Sequence, residues 1–272
     1  MSVSINNNYS AAIALQNLSQ TSAQMQQVQN RISTGLKVAT AKDDGAIYAI
    51  AEESKGQVSR QTAILGIVNQ GQSLLSVTMA AGNQISSILS QALEKAQAAT
   101  SGTLTSSQVT ALNNDFTALV NQIDTIVNNA SFNGVNLIGT GGSSVTVTTD
   151  TGSGTLTLGA NALDKTGLGL TGLNLSSSAN AASAITAVQT AITNAAAALG
   201  TYGANARTLD ATASFTKTLI DANNKAISNL VDADLAEESA ALQSLQIKQQ
   251  LGTQALSIAN SGPQFLLSLF RG

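Results

Sequence analysis

Cysteine, histidine and tryptophan are absent from this 272-residue chain, and its one proline, Pro263, stands near the end. Without Cys there is no disulfide and no thiol nucleophile; without His as well, zinc sites of the usual ligand set are excluded. Aromatic residues make up 3% of the chain, so a thick globular core is not expected. Charged residues make up 10%, against about 25% in an ordinary soluble domain. The twelve Lys and Arg are scattered, so no basic patch points to nucleic acid or an anionic membrane. No apolar run reaches the roughly eighteen residues of a membrane span, and no membrane insertion is expected. The first residues lack a basic stretch followed by a long apolar one, so a cleaved secretory signal is not expected.

Ala, Ser, Thr, Asn and Gln fill the gap left by charge. A surface of small and uncharged polar groups costs little to desolvate, which suits burial against other chains. Enzymes need placed acids, bases or metal ligands. Here Asp43/Asp44, Glu52/Glu53, Asp232/Asp234 and Glu237/Glu238 each sit beside an expected helix start, where capping and solvation explain them. No serine lies in a Gly-x-Ser-x-Gly turn. The glycines of 139–142 and 152–154 lack a following basic helix to cradle phosphate. No catalytic residue, no metal site and no cofactor is therefore expected.

The stretch Ala11 to Leu36 carries no charge before Arg31. Steps of seven give one line of Ala11, Leu18, Met25 and Ile32 and a half-polar companion of Leu15, Ser22, Gln29 and Leu36, a coiled-coil seam. Gly35 should close this helix in a left-handed conformation. Asp43 and Asp44 then mark the start of a second helix. It repeats Ile47, Ser54, Gln61, Val68, Leu75, Gly82, Leu89 and Ala96, with Ala51, Val58, Leu65, Gln72, Met79, Ser86 and Leu93 beside them. About fifty residues of helix would be about 75 Å long; Gly56, Gly66, Gly71 and Gly82 weaken it and allow a break. A third helix shows an apolar seam of Val109, Leu112, Phe116, Leu119, Ile123 and Ile126.

From Ala130 to Ser178 the composition changes. Val145 and Val147 alternate with Thr, as do Leu156 and Leu158, around the turn Asp150-Thr151-Gly152-Ser153-Gly154, which predicts a β-hairpin. A fourth helix keeps its register through Gly200 and Gly203, from Val188 to Leu230, and loses it at Val231 to Asp234. Asp234 and Glu237 suggest a cap for the last helix. That helix carries Leu235, Leu242, Leu245 and Leu256, with Ile247, Leu251, Ala255 and Ile258 beside them. A face this broad buries against more than one neighbour. Gly262 and Pro263 should stop it. The expected fold is mainly α: a long antiparallel helical rod or coiled coil formed by the N- and C-terminal segments, with a small β-hairpin region at the tip.

These residues resemble those of a known family. Ser4-Ile5-Asn6-Asn7-Asn8 with Ala11, Ala12 and Leu15, and above all Arg31-Ile32-Ser33-Thr34-Gly35-Leu36-Lys37 followed by Ala41-Lys42-Asp43-Asp44, are similar to the opening of short bacterial flagellins. Ala49-Ile50-Ala51 follows suitably, and Phe132-Asn133-Gly134 resembles the point where the hairpin region begins. Asp232-Ala233-Asp234-Leu235-Ala236-Glu237-Glu238-Ser239, Ala259-Asn260-Ser261-Gly262-Pro263-Gln264 and Leu266-Leu267-Ser268-Leu269 resemble the closing signatures. The resemblance covers both ends by motif and the middle by architecture alone.

The resemblance implies a filament subunit, with residues 1–44 and 231–272 as an inner-core helix pair and 45–230 as an outer rod domain with its hairpin region at about 130–178. Subunit packing would fall on Leu15, Leu18, Met25, Ile32 and Leu36 and on Leu235, Leu242, Leu245, Leu251, Leu256 and Ile258. It implies export unfolded through the flagellar type III export apparatus, and an extracellular place in the filament. Its implied partners are copies of itself, paralogous flagellins, the flagellar cap and junction proteins and an export chaperone. The alternative is a hook-filament junction (hook-associated) protein, which shares the paired terminal helices; Gly45 after Asp44, where that family tends to carry Pro, favours flagellin.

Many flagellins carry an Arg-rich motif in the outer helix that the mammalian Toll-like receptor reads. Gln91 and Leu93 stand where the family often has Arg; the plain alternative is a repacked helix seam. Receptor reporter cells are expected to respond more weakly to this chain than to an Arg-containing flagellin, and an equal response would overturn that expectation.

Overall fold

The computed structural model describes residues 8–269, with side chains for residues 8–261. Ser4 to Asn7, quoted above, lie outside the described residues. The chain is mainly α. In order it forms α1 (Tyr9–Thr34), α2 (Gly45–Ala98), α3 (Ser106–Asn129), the strands β1 (Val145–Thr148) and β2 (Thr155–Leu158), α4 (Ser178–Val231) and α5 (Leu235–Leu269). β1 and β2 pair antiparallel, with Val145 opposite Leu158 and Thr148 opposite Thr155. No described helix is long and apolar enough to cross a membrane. Contacts divide the chain into two compact units, Val58–Asp221 and Met1–Gln57 with Ala222–Gly272.

The helix ends follow local chemistry. Gly35 closes α1 at φ 72°, its N–H donating to Arg31 O at 2.8 Å. Asp44 Oδ1 caps α2 by accepting from the N–H groups of Ala46 and Ile47, both at 3.0 Å. Thr105 and Gln108 form a full capping box at α3. Asp234 Oδ1 accepts from Ala236 N and Glu237 N at the start of α5. α2 and α4 each run 54 residues, so their glycines break neither.

The far end of α5 corrects the expectation from Gly262 and Pro263, for the helix passes through both to Leu269. A proline has no N–H to give the carbonyl four residues back. That carbonyl, Ala259 O, instead accepts from Asn8 Nδ2 at 2.8 Å. The side chain that caps α1 thus supplies the donor that Pro263 lacks.

Within Val58–Asp221 the long helices are antiparallel: Gly71 lies beside Leu209 and Gly82 beside Leu199, and Gln72 Nε2 donates to Asp210 Oδ1 at 2.6 Å. The buried line of α2 alternates steps of four and three, through Val68, Gly71, Leu75, Thr78, Gly82, Ile85 and Leu89. Val68, Leu75, Gly82 and Leu89 were expected there. The companions are Gly71, Thr78 and Ile85, one residue before the expected Gln72, Met79 and Ser86. At Gly71 and Gly82 space is the reason the residue is glycine. A Cβ at Gly71 would stand 3.0 Å from Val147 Cγ2 and 3.1 Å from Leu209 Cδ1, and one at Gly82 would stand 2.6 Å from Leu199 Cδ2. The seam takes the small residue where a neighbour comes closest. α3 is displaced by one residue the other way: Phe116 and Ile123 are buried with Val120 and Val127, while Leu112, Leu119 and Ile126 are partly buried beside them.

Residues 130–177 contain no helix; their backbone groups pair mostly with one another, and side chains from the helices tie the segment down at several points. Asn113 Oδ1 accepts from Leu175 N at 2.7 Å. Asp124 Oδ1 accepts from Lys165 N at 3.0 Å, and Asp124 Oδ2 pairs with Lys165 Nζ at 3.0 Å. Asn136 donates to Val127 O and accepts from Ile138 N and Gly139 N. The fully buried Tyr202 of α4 donates its hydroxyl to Leu137 O at 3.0 Å and accepts from Asn161 Nδ2 at 3.2 Å.

Tyr202→Phe removes one of the donors to the Leu137 carbonyl, which keeps the N–H of Asn161 at 2.8 Å, so an expected loss of about 0.5–1.5 kcal/mol should appear in urea denaturation. Burial raises the Tyr202 hydroxyl above its ordinary pKa of 10.0. A group with a raised folded pKa gives stability that is full below the ordinary value and lost as pH climbs through the raised one. Stability should therefore fall above pH 10, and less steeply in Tyr202→Phe.

Candidate functional site

The chain ends form a unit built on an antiparallel helix pair. Asn8 meets Ala259, Leu18 lies against Gly252, Arg31 meets Glu238, and Leu36 bridges Asp232. Residue numbers rise on α1 as they fall on α5. Asn8 holds one end with both atoms of its amide: Oδ1 caps α1 by accepting from Ala11 N at 3.1 Å, and Nδ2 reaches Ala259. At the other end Arg31 Nη1 donates to Glu238 Oε1 at 3.0 Å. Each charge also suits its own helix, Arg31 in the last turn of α1 and Glu238 in the first turn of α5. The pair is partly exposed and is worth about 1 kcal/mol at most.

The connector between α1 and α2 is held by backbone. Lys37 N and Val38 N donate to Val231 O, and Ala233 N donates to Gly35 O. Asp43 folds the connector on itself, its Oδ2 accepting from Ala39 N, Thr40 N and Thr40 Oγ1. The bond from the Thr40 backbone, then that from its hydroxyl, hold the Asp43 carboxyl below its ordinary value. Beside the connector runs a groove of about 550 Å³, lined by Gln26, Gln27, Asn30, Lys37 and Lys42 among others. It holds no activated nucleophile. Among the described residues no group of three His, Cys, Asp or Glu stands close enough to hold a metal.

The half-buried seam of α1 is Ala11, Ala14, Leu18, Thr21, Met25, Val28 and Ile32, and it faces Leu242, Leu245, Gly252, Leu256 and Ala259 of α5. Leu18, Met25 and Ile32 were expected on this line, as were Leu242, Leu245 and Leu256. Leu36 is half-buried in the connector. The other expected packing residues point away from the pair: Leu15 is 58% exposed, Leu235 50%, Leu251 59% and Ile258 71%. Ala14, Thr21, Val28 and Gly252 were not expected. A Cβ at Gly252 would stand 3.3 Å from Leu18 Cδ1, so the signal was smallness, which a search for large apolar residues passes over.

The exposed residues of α5 have an order of their own. Ile247, Leu251 and Ile258 lie about half a turn round from Leu245 and Gly252, at 3.6 residues per turn. α5 is thus apolar on two opposite faces, and α1 covers one. Exposed apolar surface of this extent and regularity marks a place where protein meets protein. The sparse charge agrees: between Arg31 and the start of α1 there is none, and Lys248 is the one charge of α5 beyond Glu238.

Comparison with known proteins agrees with a structural surface. The bacterial flagellin N-terminal helical region matches residues 5–142, and the bacterial flagellin C-terminal helical region matches residues 185–270. Flagellin FljM of Caulobacter vibrioides is 42% identical over 269 residues, covering 98% of each chain. A flagellin of Brucella melitensis is 32% identical over 295 residues, covering 99% of each. A crystal structure of Bacillus cereus flagellin superposes with a TM-score of 0.51 at 29% identity, over 54% of this chain and 86% of that one. With matches at both ends and relatives aligned over nearly the whole length, the chain belongs to the bacterial flagellins, structural subunits of the flagellar filament and not enzymes.

Proposed function

We propose that this chain polymerises into the filament through its terminal helix pair, and that the pair is completed by other copies and not by its own chain. The second apolar face of α5, with Ile247, Leu251 and Ile258 exposed, carries this reading. A helix with two apolar faces is stable only with neighbours on both sides. In the filament, residues 1–44 and 231–272 form the inner core and 45–230 the outer domain. Leu18, Met25, Ile32, Leu242, Leu245 and Leu256 hold the pair together, while Leu15, Leu235, Leu251 and Ile258 meet adjacent subunits. Copies are copolymerised with paralogous flagellins outside the cell, beneath a cap and above junction proteins.

Export unfolded through the flagellar type III pathway, with a chaperone holding the ends, belongs to the same reading. The neutral seam of α1, with Thr21 at its middle, supports it: a helix this weakly apolar is marginal until packed. Such a segment threads a channel without first being pulled from a stable core.

Purified chain given filament seeds or precipitant is expected to form long tubes of helical symmetry under the electron microscope, and failure to do so would count against the proposal. Removing 1–30 or 240–272 should abolish tubes while 45–230 stays folded by circular dichroism. Leu251→Asp should leave the monomer's helix content unchanged. Losing the burial of one Leu costs about 2 kcal/mol, so its critical concentration for assembly should rise on the order of tenfold or more. An unchanged critical concentration would remove Leu251 from the interface.

A further inference from the structure

Asn133-Gly134 is the one Asn-Gly pair in the sequence. It forms the two central residues of a tight turn. Phe132 N donates to Val135 O at 2.9 Å, and Val135 N donates to Phe132 O at 3.0 Å. Both central residues are left-handed, Asn133 at φ 50° and Gly134 at φ 79°, as a two-residue hairpin turn of this kind demands. Asn133 is the one non-glycine residue with positive φ among those described. Both residues are exposed. Neither the Asn133 amide nor the Gly134 N–H has a hydrogen-bond partner among the described residues. No atom lies within 4 Å of where a Gly134 Cβ would be. The amide carbon and the neighbouring nitrogen are thus both uncommitted and open to water.

We propose that Asn133 is a site of spontaneous deamidation, gated by opening of the Phe132–Val135 turn. The Gly134 nitrogen gives up its proton to hydroxide and attacks Asn133 Cγ. A new N–Cγ bond closes a five-membered succinimide, the bond from Cγ to the amide nitrogen breaks, and ammonia leaves carrying the proton it needs. Water then opens the ring. Attack at the side-chain carbonyl gives aspartate, and attack at the backbone carbonyl gives isoaspartate, with the chain running through Cβ and Cγ. No electrons are transferred, and water is the only co-reactant.

The gate follows from the turn. Ring closure must swing the peptide between Asn133 and Gly134, and the two Phe132–Val135 bonds hold that peptide in place. The reaction therefore proceeds from the transiently opened turn. The two products differ in consequence. Aspartate tolerates the left-handed conformation as asparagine does, so the turn survives with one more negative charge. Isoaspartate inserts a backbone carbon into a two-residue loop, so both cross-turn bonds cannot be kept. Phe132 and Val135 pack against the core of the Val58–Asp221 unit, so this product loosens the start of the hairpin region.

The test is to age the full chain at mildly alkaline pH and follow each asparagine by peptide mapping with isoaspartate quantification. Asn133 is expected to convert on the order of tenfold faster than any other asparagine, because Gly134 has no Cβ to crowd the attack. Conversion should be faster still in urea, where the turn is open. In the aged chain the amide of Val135 should exchange hydrogen faster. Asn133→Gln, which must close a larger ring, should remove the isoaspartate signal while keeping the fold. Conversion of Asn133 at the rate of Asn260, which precedes Ser261, would overturn the assignment, and equal rates in buffer and urea would overturn the gate.

Discussion

Close approach between helices is the constraint on which both units depend. Gly71 and Gly82 let α2 lie against Val147, Leu209 and Leu199, and Gly252 lets α5 lie against Leu18. Side chains at these places would force the helices apart and open gaps along the whole seam, since interiors tolerate little free space. Small seam residues carry a cost, because glycine weakens a helix by about 1 kcal/mol relative to alanine. Length offsets it: each of α2 and α4 spreads its burial over 54 residues. The scarcity of aromatics follows from the same geometry, for a narrow seam between long helices has few places that admit a ring. Tyr202 and Phe116, both fully buried, occur in the unit where α3 and the irregular segment thicken the core.

The helices, their ends and the hairpin were legible because each rests on local chemistry. Gly35, Asp44, Asp234 and the alternating Val and Thr of β1 speak through neighbours a few residues away. The faces were legible by half. In α1, α2 and α3 one line of each seam was found and the other was misplaced by one residue. Residues three and four apart sit on the same side of a helix, and hydrophobicity chose Leu15, Met79 and Leu112 because they are large. Which of two adjacent residues faces the partner is set by the partner element, which periodicity alone does not contain; at Gly71 and Gly252 the partner leaves room only for the smallest. Pro263 was misread for a related reason. Its effect depends on who satisfies Ala259 O, and the donor is Asn8, at the opposite end of the chain.

The surface that makes a filament must not make an aggregate. Ile247, Leu251 and Ile258 stand four and seven residues apart, and of the residues between them only Lys248 is charged, the rest being Gln, Gly, Thr, Ala, Ser and the pair-facing Leu256. That spacing forms a stripe one helix wide, fit for another helix and poor for unordered contact. Neutral polar neighbours matter here, since they can be buried without the heavy desolvation that a charge would carry. Apart from Lys248 and Arg271, the charges near the chain ends are gathered around Arg31, Glu238 and the connector, where they hold the pair and its capped turns in one register.

The bond from Asn8 to Ala259 joins residues 251 apart in sequence. Closing so long a loop from an unfolded chain costs about 5 kcal/mol in entropy by the logarithmic law, far more than one hydrogen bond returns. The contact becomes affordable only after Val58–Asp221 has folded and removed its own length from the loop. Topology thus favours an order in which the middle of the chain finds its structure first and the two ends meet late. Emergence of the final residues, and not of the first, sets the earliest moment at which the terminal helices can recognise each other.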